Sequence, residues 1–417
     1  MKIKMKRMPY EQAMALPRPK HKKPLKPWWI LGLVIRILSI PDMLITRFTV
    51  KKERMDLVGK QPCLILMNHC SFIDLKIAFK IFFPKPFCIV STTDSFVGKG
   101  LLMRLLGCIP TKKYVTDIRL ITDMLYTIRK LNTSVLMYPE AGYTFDGRSS
   151  PLPQKFGTLI KKLNVPVVTV ITDGAFLRQP LYNNLRTRTV KTSAHVKCLL
   201  TVDEIAQKSV EEIDQMMEQA FSFDNFANQY KNQVSIRSPH RAEGLERLLY
   251  RCPNCQTEGQ TVGSGTKLTC NHCQSVFEMD EYGRMTNTEF AHIPDWYDWE
   301  RNCVKNDLIQ GTYELDAEVE IGLMLDYKAL YMVGSGRLVH NENGFTLTGC
   351  DSKLNYTQSP QASFSLNADF YWYQIDDIIC IGDKNCLYYC FLKNNNVAAK
   401  TRLAAEELYK LKQKELK

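Results

Sequence analysis

Pro62-Cys63-Leu64-Ile65-Leu66-Met67-Asn68-His69-Cys70-Ser71-Phe72-Ile73-Asp74 opens on an apolar run and closes on a polar turn. The run does not alternate, so it reads as a strand covered on both faces, the pattern of a parallel sheet inside an α/β domain. His69 and Asp74 are five residues apart. In one continuous helix that spacing would turn them about 140° away from each other. They can meet only if His69 sits in the turn and Asp74 in the first turn of a following helix. Histidine titrates near neutrality and can take a proton from a hydroxyl. A carboxylate behind it fixes the tautomer and stabilises the imidazolium.

Working outward, residues 55–205 alternate short apolar runs with amphipathic segments. Phe87–Val90, Ser134–Tyr138 and Pro166–Ile171 read as further strands. A helix opens near Thr116, with Ile118, Ile121, Leu125 and Ile128 at helical spacing. Phe156–Leu163 is a second helix, with Phe156, Leu159, Ile160 and Leu163 on one face. Ser209 and Glu212 form a capping box for the next. Strands separated by helices imply a layered α/β domain, expected over residues 51–240.

Three further stretches stand in order around the His–Asp pair. They are Gly107-Cys108-Ile109-Pro110-Thr111-Lys112-Lys113, then Tyr138-Pro139-Glu140-Ala141-Gly142, then Val165-Pro166-Val167-Val168. With Asn68–Asp74 they resemble the four ordered blocks of the glycerolipid acyltransferase family typified by 1-acylglycerol-3-phosphate acyltransferases. The resemblance covers about a third of the chain, residues 55–205. It implies an α/β sandwich and transfer of a fatty acyl group from a thioester to a lysophospholipid hydroxyl, with His69 as general base and Asp74 orienting it. It also implies that Glu140 orders the acceptor site. Two departures stand out. Lys113 takes the place of the second block's arginine, and Gly142-Tyr143 stand where the third block has Thr-Arg. The resemblance implies that those arginines hold the acceptor phosphate, and lysine lacks their bidentate fork. Phosphate binding then falls to Lys112, Lys113 and Arg148, or the acceptor is not a simple lysophosphatidic acid. An oxyanion hole is also required. The backbone N–H groups of Ala141 and Gly142 are the candidates, because small residues let a ligand come close. Leu101, Leu102, Met103, Leu105 and Leu106 could line an acyl tunnel, or be ordinary helix core.

The net charge of +12 on 417 residues is uneven. Residues 1–27 hold nine Lys or Arg against Glu11 alone, which leaves +4 on the other 390. A basic arm meets nucleic acid or an anionic lipid surface. The adjoining segment favours lipid: Trp28-Trp29 begins a 13-residue apolar run to Ile40, broken by Arg36. It is short for a span, which needs about 20 residues, and no small-residue cleavage site of a signal peptide comes after it. A double Trp beside basic residues suits a helix lying in the headgroup region. The rival reading is a helix buried on the domain. Residues 1–50 are therefore expected to form a basic arm and a membrane-associating helix. Fourteen cysteines, mostly scattered among apolar residues, suit reduced thiols. The expectation is a peripheral or monotopic protein on the cytoplasmic face of a membrane.

Cys252-Pro253-Asn254-Cys255 and Cys270-Asn271-His272-Cys273 are two C-x2-C knuckles fourteen residues apart. They match a four-thiolate zinc ribbon, expected over 245–285, with His272 a bystander. Four Cys ligands close the shell, so the zinc is structural, and no cofactor is needed for the chemistry. Trp296, Tyr297, Trp299 and Glu300 suggest a short helix. Beyond residue 305 the pattern turns β-rich, with strands at Ala317–Leu325, Ala329–Val333, Phe345–Thr348, Phe370–Ile375 and Leu387–Leu392, and a turn at Asn341-Glu342-Asn343-Gly344. A helix near 397–414, carrying Leu403, Leu408 and Leu411, ends the chain. Strands closed by one helix resemble a pleckstrin-homology-like barrel.

The sequence thus points to an O-acyltransferase whose partners are acyl-CoA or acyl carrier protein, a lysophospholipid and a membrane surface. One alternative is a non-catalytic lipid-binding or scaffold protein on the same fold, suggested by the missing third-block arginine. The intact His69 and Asp74 argue against it, since a binding module needs no base. A nucleic-acid binder would need basic and aromatic residues interleaved near the ribbon. Only Arg247, Arg251 and Lys267 lie close, so no nucleic acid is expected.

Overall fold

The computed structural model describes residues 3–115, 117–393 and 397–415. The first strand, β1 (Met5–Arg7), pairs far along the chain, in the C-terminal sheet. Seven strands then build the sheet that carries His69: β2 (Thr49–Glu53), β3 (Leu64–Met67), β4 (Phe87–Thr92), β5 (Cys108–Thr111), β6 (Ser134–Met137), β7 (Val167–Asp173) and β8 (Ser193–Leu200). Their order is β2-β8-β7-β3-β6-β4-β5, parallel throughout except between β7 and β8. β3 lies in the middle, with Leu64 opposite Val135 on one side and Val167 on the other. All four of its residues are buried. Leu64 and Leu66 face a core with Met124, Ile128, Phe156, Ile160 and Ile213. Ile65 and Met67 face the opposite core with Ile77, Ala78 and Phe79. Burial on both faces is why the run is continuously apolar.

The helix Ile118–Arg129 starts where Asp117 accepts a hydrogen bond from the Arg119 N–H at 2.8 Å. Thr116, the expected start, lies outside the described residues. The buried stripe is shifted from the expected one: Ile118 is 74% exposed, and Asp123, Met124, Thr127 and Ile128 point inward. The N-terminal arm accounts for Asp123, since His21 Nε2 lies 3.0 Å from its carboxylate, while the Thr127 hydroxyl donates to the Asp123 carbonyl at 2.8 Å within the helix. Phe156–Leu163 is helical with Phe156, Ile160 and Leu163 buried. The Ser209–Glu212 capping box is present, and a second one, Thr201 with Glu204, precedes it.

The apolar run after Pro27 forms a helix, Trp29–Ile45, which continues through Pro41. It packs against the helix Ile73–Phe82, with Gly32 facing the rings of Phe79 and Phe83. Asp42 secures its end by ion pairs to Lys76 and Arg178. The opposite face is bare: Trp29 is 67% exposed, Leu38 63% and Leu44 71%. No helix among the described residues is long and apolar enough to cross a membrane.

The cysteine module is an antiparallel sheet of β9 (Thr261–Ser264), β10 (Lys267–Cys270), β11 (Val276–Met279) and β12 (Met285–Thr286). The aromatic segment after it is not a short helix but runs 17 residues, Ile293–Ile309, with His292 and Asp295 closing its start.

The C-terminal region is antiparallel: β13 (Leu315–Leu323), β14 (Leu330–Asn341), β15 (Gly344–Gly349), β16 (Leu354–Gln358), β17 (Asn367–Trp372), β18 (Asp376–Gly382) and β19 (Leu387–Leu392), in the order β16-β15-β14-β13-β19-β18-β17. Phe370–Ile375 is not one strand. Tyr371, Tyr373 and Gln374 take positive φ angles, so the chain reverses there and β18 follows at once. The helix Ala398–Glu415 closes the region and packs on Ile293–Ile309. β1 runs parallel to β14, with Met5 opposite Leu330. The start of the basic arm therefore belongs to the C-terminal sheet.

Candidate active site

In open parallel sheets, ligands bind beyond the carboxyl ends of the strands. Three of the four sequence blocks meet there. His69 follows β3, Lys112 and Lys113 follow β5, and Glu140 follows β6. The fourth block, Val165–Val168, lies at the other end of β7, pairs with β3 and builds the middle of the sheet.

His69 sits in the turn after β3, and Asp74 in the first turn of Ile73–Phe82. His69 Nδ1 donates to Asp74 Oδ2 at 3.1 Å, and the same oxygen accepts from the N–H groups of Cys70 (2.7 Å) and Ser71 (2.9 Å). One carboxylate therefore holds both the ring and the turn that carries it. Its other oxygen, Oδ1, is buried without a partner among the described residues. Asn68, fully buried, anchors the turn from below: its Oδ1 accepts from the Thr172 N–H (2.8 Å) and hydroxyl (3.0 Å), and its Nδ2 donates to the Thr172 carbonyl (3.2 Å).

The imidazole lies between two tyrosine rings. Tyr138 stacks on it with centroids 3.9 Å apart and planes at 21°, and Tyr143 lies at 4.3 Å, tilted by 47°. With Nδ1 committed to Asp74, Nε2 is the nitrogen left without a protein partner among the described residues. Burial pushes the His69 pKa below its ordinary value; the hydrogen bond and charge of Asp74 oppose this, and the nearby Lys113 charge adds to it. The balance favours the neutral imidazole.

Glu140 is buried, and its carboxylate joins two segments. Oε2 accepts from the His69 N–H at 3.0 Å, and Oε1 from the Ser150 N–H at 2.7 Å. Burial raises its pKa to about 8, against those two N–H groups and the charge of Arg402. The loop between Glu140 and Ser150 returns over the histidine, with the Thr144 N–H donating to the His69 carbonyl at 3.0 Å. Ala141 turns this loop with a φ of 58°. Its N–H is spent on the Tyr138 carbonyl at 3.1 Å, whereas the Gly142 N–H has no partner among the described residues. A methyl group at Gly142 would lie 3.8 Å from Lys113 Nζ, so the lysine end reaches this loop.

The other expected cations lie elsewhere. Lys112 Nζ donates to the Lys384 carbonyl at 2.6 Å. Arg148 is spent on Asp146 (3.0 Å), Asp298 (2.7 Å) and the Pro294 carbonyl (3.0 Å). Leu101 and Leu102 are exposed rather than lining a tunnel. Sequence reasoning overlooked the rings of Tyr138 and Tyr143 and the C-terminal neighbours of the site. Asp369 is one of these; burial lifts its pKa to about 6 while the Lys113 charge holds it down. No local pattern marks a residue that arrives from about 300 positions away.

At the second candidate site, the four sulfurs of Cys252, Cys255, Cys270 and Cys273 lie within 4.8 Å of one another. Cys252 and Cys273 are 3.7 Å apart, as are Cys255 and Cys270. Tetrahedral zinc with bonds of about 2.3 Å needs sulfur–sulfur edges of about 3.8 Å. Gln256 and Gln274 take matching positive φ values of 59° and 62° just after the second cysteine of each knuckle. The thiols fit a metal with a closed shell.

Comparison with known proteins bears on the first site. Residues 47–173 match the family model described as Acyltransferase. Among solved structures, the 1-acyl-sn-glycerophosphate (LPA) acyltransferase PlsC from Thermotoga maritima is similar at 16% identity, over 46% of this chain and 77% of that one, with a TM-score of 0.35. No curated protein sequence matches the chain.

Proposed function

Starting from an acyltransferase-family domain at residues 47–173, we propose that this protein moves a fatty acyl group from acyl-CoA or acyl carrier protein to the hydroxyl of a lysophospholipid. The simplest acceptor is 1-acylglycerol-3-phosphate, which would give phosphatidic acid. The observation that carries this reading is the Nδ1–Oδ2 contact of 3.1 Å between His69 and Asp74, which leaves Nε2 free. Nε2 takes the hydroxyl proton as the oxygen attacks the thioester carbonyl. The tetrahedral intermediate collapses, the carbon–sulfur bond breaks, and the proton passes to the departing thiolate. Of the two expected oxyanion donors, the Gly142 N–H is the one not spent within the described residues. Lys113 is the cation at hand for the acceptor, with Glu140 shaping the loop around it. Catalysis needs no cofactor, and the cysteine cluster holds a structural zinc.

The bare face of Trp29–Ile45 supports a lipid surface as partner, at the cytoplasmic face of the membrane. Trp29→Ser combined with Leu38→Ser is expected to weaken binding to anionic vesicles about tenfold or more, since each side chain contributes ~1.5–3 kcal/mol when buried. Flotation with liposomes measures it. Unchanged flotation would leave this face without a lipid role.

The overall test is thioester consumption by the purified protein against a panel of lysolipids, with products identified by mass spectrometry. A new diacyl product supports the enzyme and names the acceptor. Vesicle binding without consumption of any thioester would leave the non-catalytic lipid-binding protein.

A further inference from the structure

The third block has no arginine of its own, yet a guanidinium lies beside it. Arg402, from the C-terminal helix, donates from Nη2 to Ser150 Oγ at 3.1 Å and stacks over the Phe145 ring at 4.4 Å. Both partners belong to the loop that covers His69. Ser150 is the residue whose N–H holds Glu140 Oε1, and Glu140 Oε2 holds the His69 N–H. A continuous path of hydrogen bonds therefore joins a residue 333 positions away to the turn that carries the histidine.

Arg402 is itself fixed. Its side chain is 7% exposed, and Nε donates to Glu406 Oε1 at 3.1 Å. Glu406 is held by Arg301 at 2.7 Å and by the Ser365 hydroxyl at 2.7 Å. A buried cation is costly to desolvate, and replacing such a network with apolar residues is often neutral or stabilising. Stability alone therefore does not explain its placement. Two further contacts from the same region reach the same loop. Phe370 packs on Phe145 at 4.4 Å. Phe364 packs on Tyr114 at 5.5 Å, and the Tyr114 hydroxyl donates to the Glu140 carbonyl at 3.2 Å.

We infer that Arg402 is a positioning residue of the acyl-transfer site, through which the C-terminal region holds the third-block loop and the His69 turn in reacting geometry. Its Nε–H goes to Glu406 on its own helix, and its link toward the site is the Nη2–H bond to Ser150, so it acts through Ser150 and Glu140. The C-terminal region then belongs to the active site and is not an appended module. This inference rests on the acyltransferase reading for its meaning, though not for its test.

The experiment uses the full chain with metal bound and compares Ser150→Ala, Arg402→Met and Arg402→Lys. Ser150→Ala keeps the backbone donor to Glu140 and removes only the link to Arg402. The first readout is amide hydrogen exchange in peptides covering 67–72 and 148–152, which needs no activity. Ser150→Ala and Arg402→Met are expected to speed exchange in both segments about tenfold or more, since local opening controls it, with Arg402→Lys intermediate. The second is a kinetic split: kcat falls by tens-fold up to about 100-fold while KM for oleoyl-CoA is unchanged, the signature of a misplaced base. Where Arg402→Met loosens the whole chain, Ser150→Ala decides. Unchanged exchange at 67–72 in Ser150→Ala overturns the inference. Faster exchange in a protein whose wild type consumes no thioester upholds the link and removes the acyltransferase reading instead.

Discussion

His69→Ala is expected to lower acyl transfer by roughly 10²- to 10⁴-fold, the range that a positioned general base contributes. The fold should survive. The ring is partly exposed, and the main-chain bonds of the turn, from Cys70 and Ser71 to Asp74 and from His69 to Glu140, do not involve it. Thioester consumption checks the rate, and circular dichroism with thermal unfolding checks the fold. Asp74→Asn should come close to the same loss, because an amide can present its N–H to Nδ1 and favour the wrong tautomer. An intact rate in folded His69→Ala would remove the mechanism.

The same ring sets the acid side of the pH profile. Burial favours the uncharged imidazole over the Asp74 contribution, so its pKa in the folded chain lies below the ordinary 6.5. The base stays deprotonated at pH values where a free histidine has begun to charge. The fall in kcat/KM on acidification should therefore have its midpoint below 6.5. Stability shifts in the same direction. As pH drops through the ordinary value, the unfolded chain binds a proton at this site before the folded chain does, so acid favours unfolding. A rate profile whose acid midpoint lies above 6.5 would contradict the desolvated environment.

The turn around His69 was legible because strand, turn and helix are local, and a five-residue spacing either closes across a turn or does not. The strand that carries block three was legible in the same way, whereas block two was not, because its strand, Cys108–Thr111, is short and lies inside the block at the sheet edge. What stayed hidden depends on distant chain segments. Arg148 looks like a free cation beside block three, but Asp298, 150 residues on, neutralises it. Lys112 and Lys113 are equivalent in sequence, yet one is capped by the Lys384 carbonyl and the other reaches Gly142. The Phe370–Ile375 segment carries strand formers throughout, and the reversal inside it rests on three residues with no Gly or Pro to announce it. The stripe on Ile118–Arg129 was misplaced because Asp123 and Thr127, polar in sequence, are covered by the arm and by the sheet.

Removing the metal is expected to have the largest effect on structure. Structural zinc held by four thiolates carries an apparent ~10–16 kcal/mol at neutral pH, more than a small ribbon can supply from its own core. Cys252→Ser, or chelation of the wild type, should therefore unfold residues 245–285. The damage should spread along contacts that start beside the ligands. The carbonyl of Arg251, next to Cys252, accepts the Trp296 indole N–H at 3.0 Å, and its N–H donates to the buried Glu300 carboxylate at 2.8 Å. Phe277 packs edge-on against Trp296 at 4.9 Å. Once Arg251 is released, Trp296 meets water and Glu300 loses a donor that holds its pKa down. Ile293–Ile309 then loosens, and with it Arg301, which secures Glu406 and so Arg402. The measurements are elemental analysis, expected to give one zinc per chain, and tryptophan emission, expected to shift to the red as the chelator takes the metal. Thioester consumption should fall in parallel, although none of the four cysteines is among the residues placed at the acyl-transfer site. A native chain free of metal would leave the four thiols as ordinary core. Loss of zinc with emission and rate both unchanged would show that the ribbon is not coupled to the acyl-transfer site.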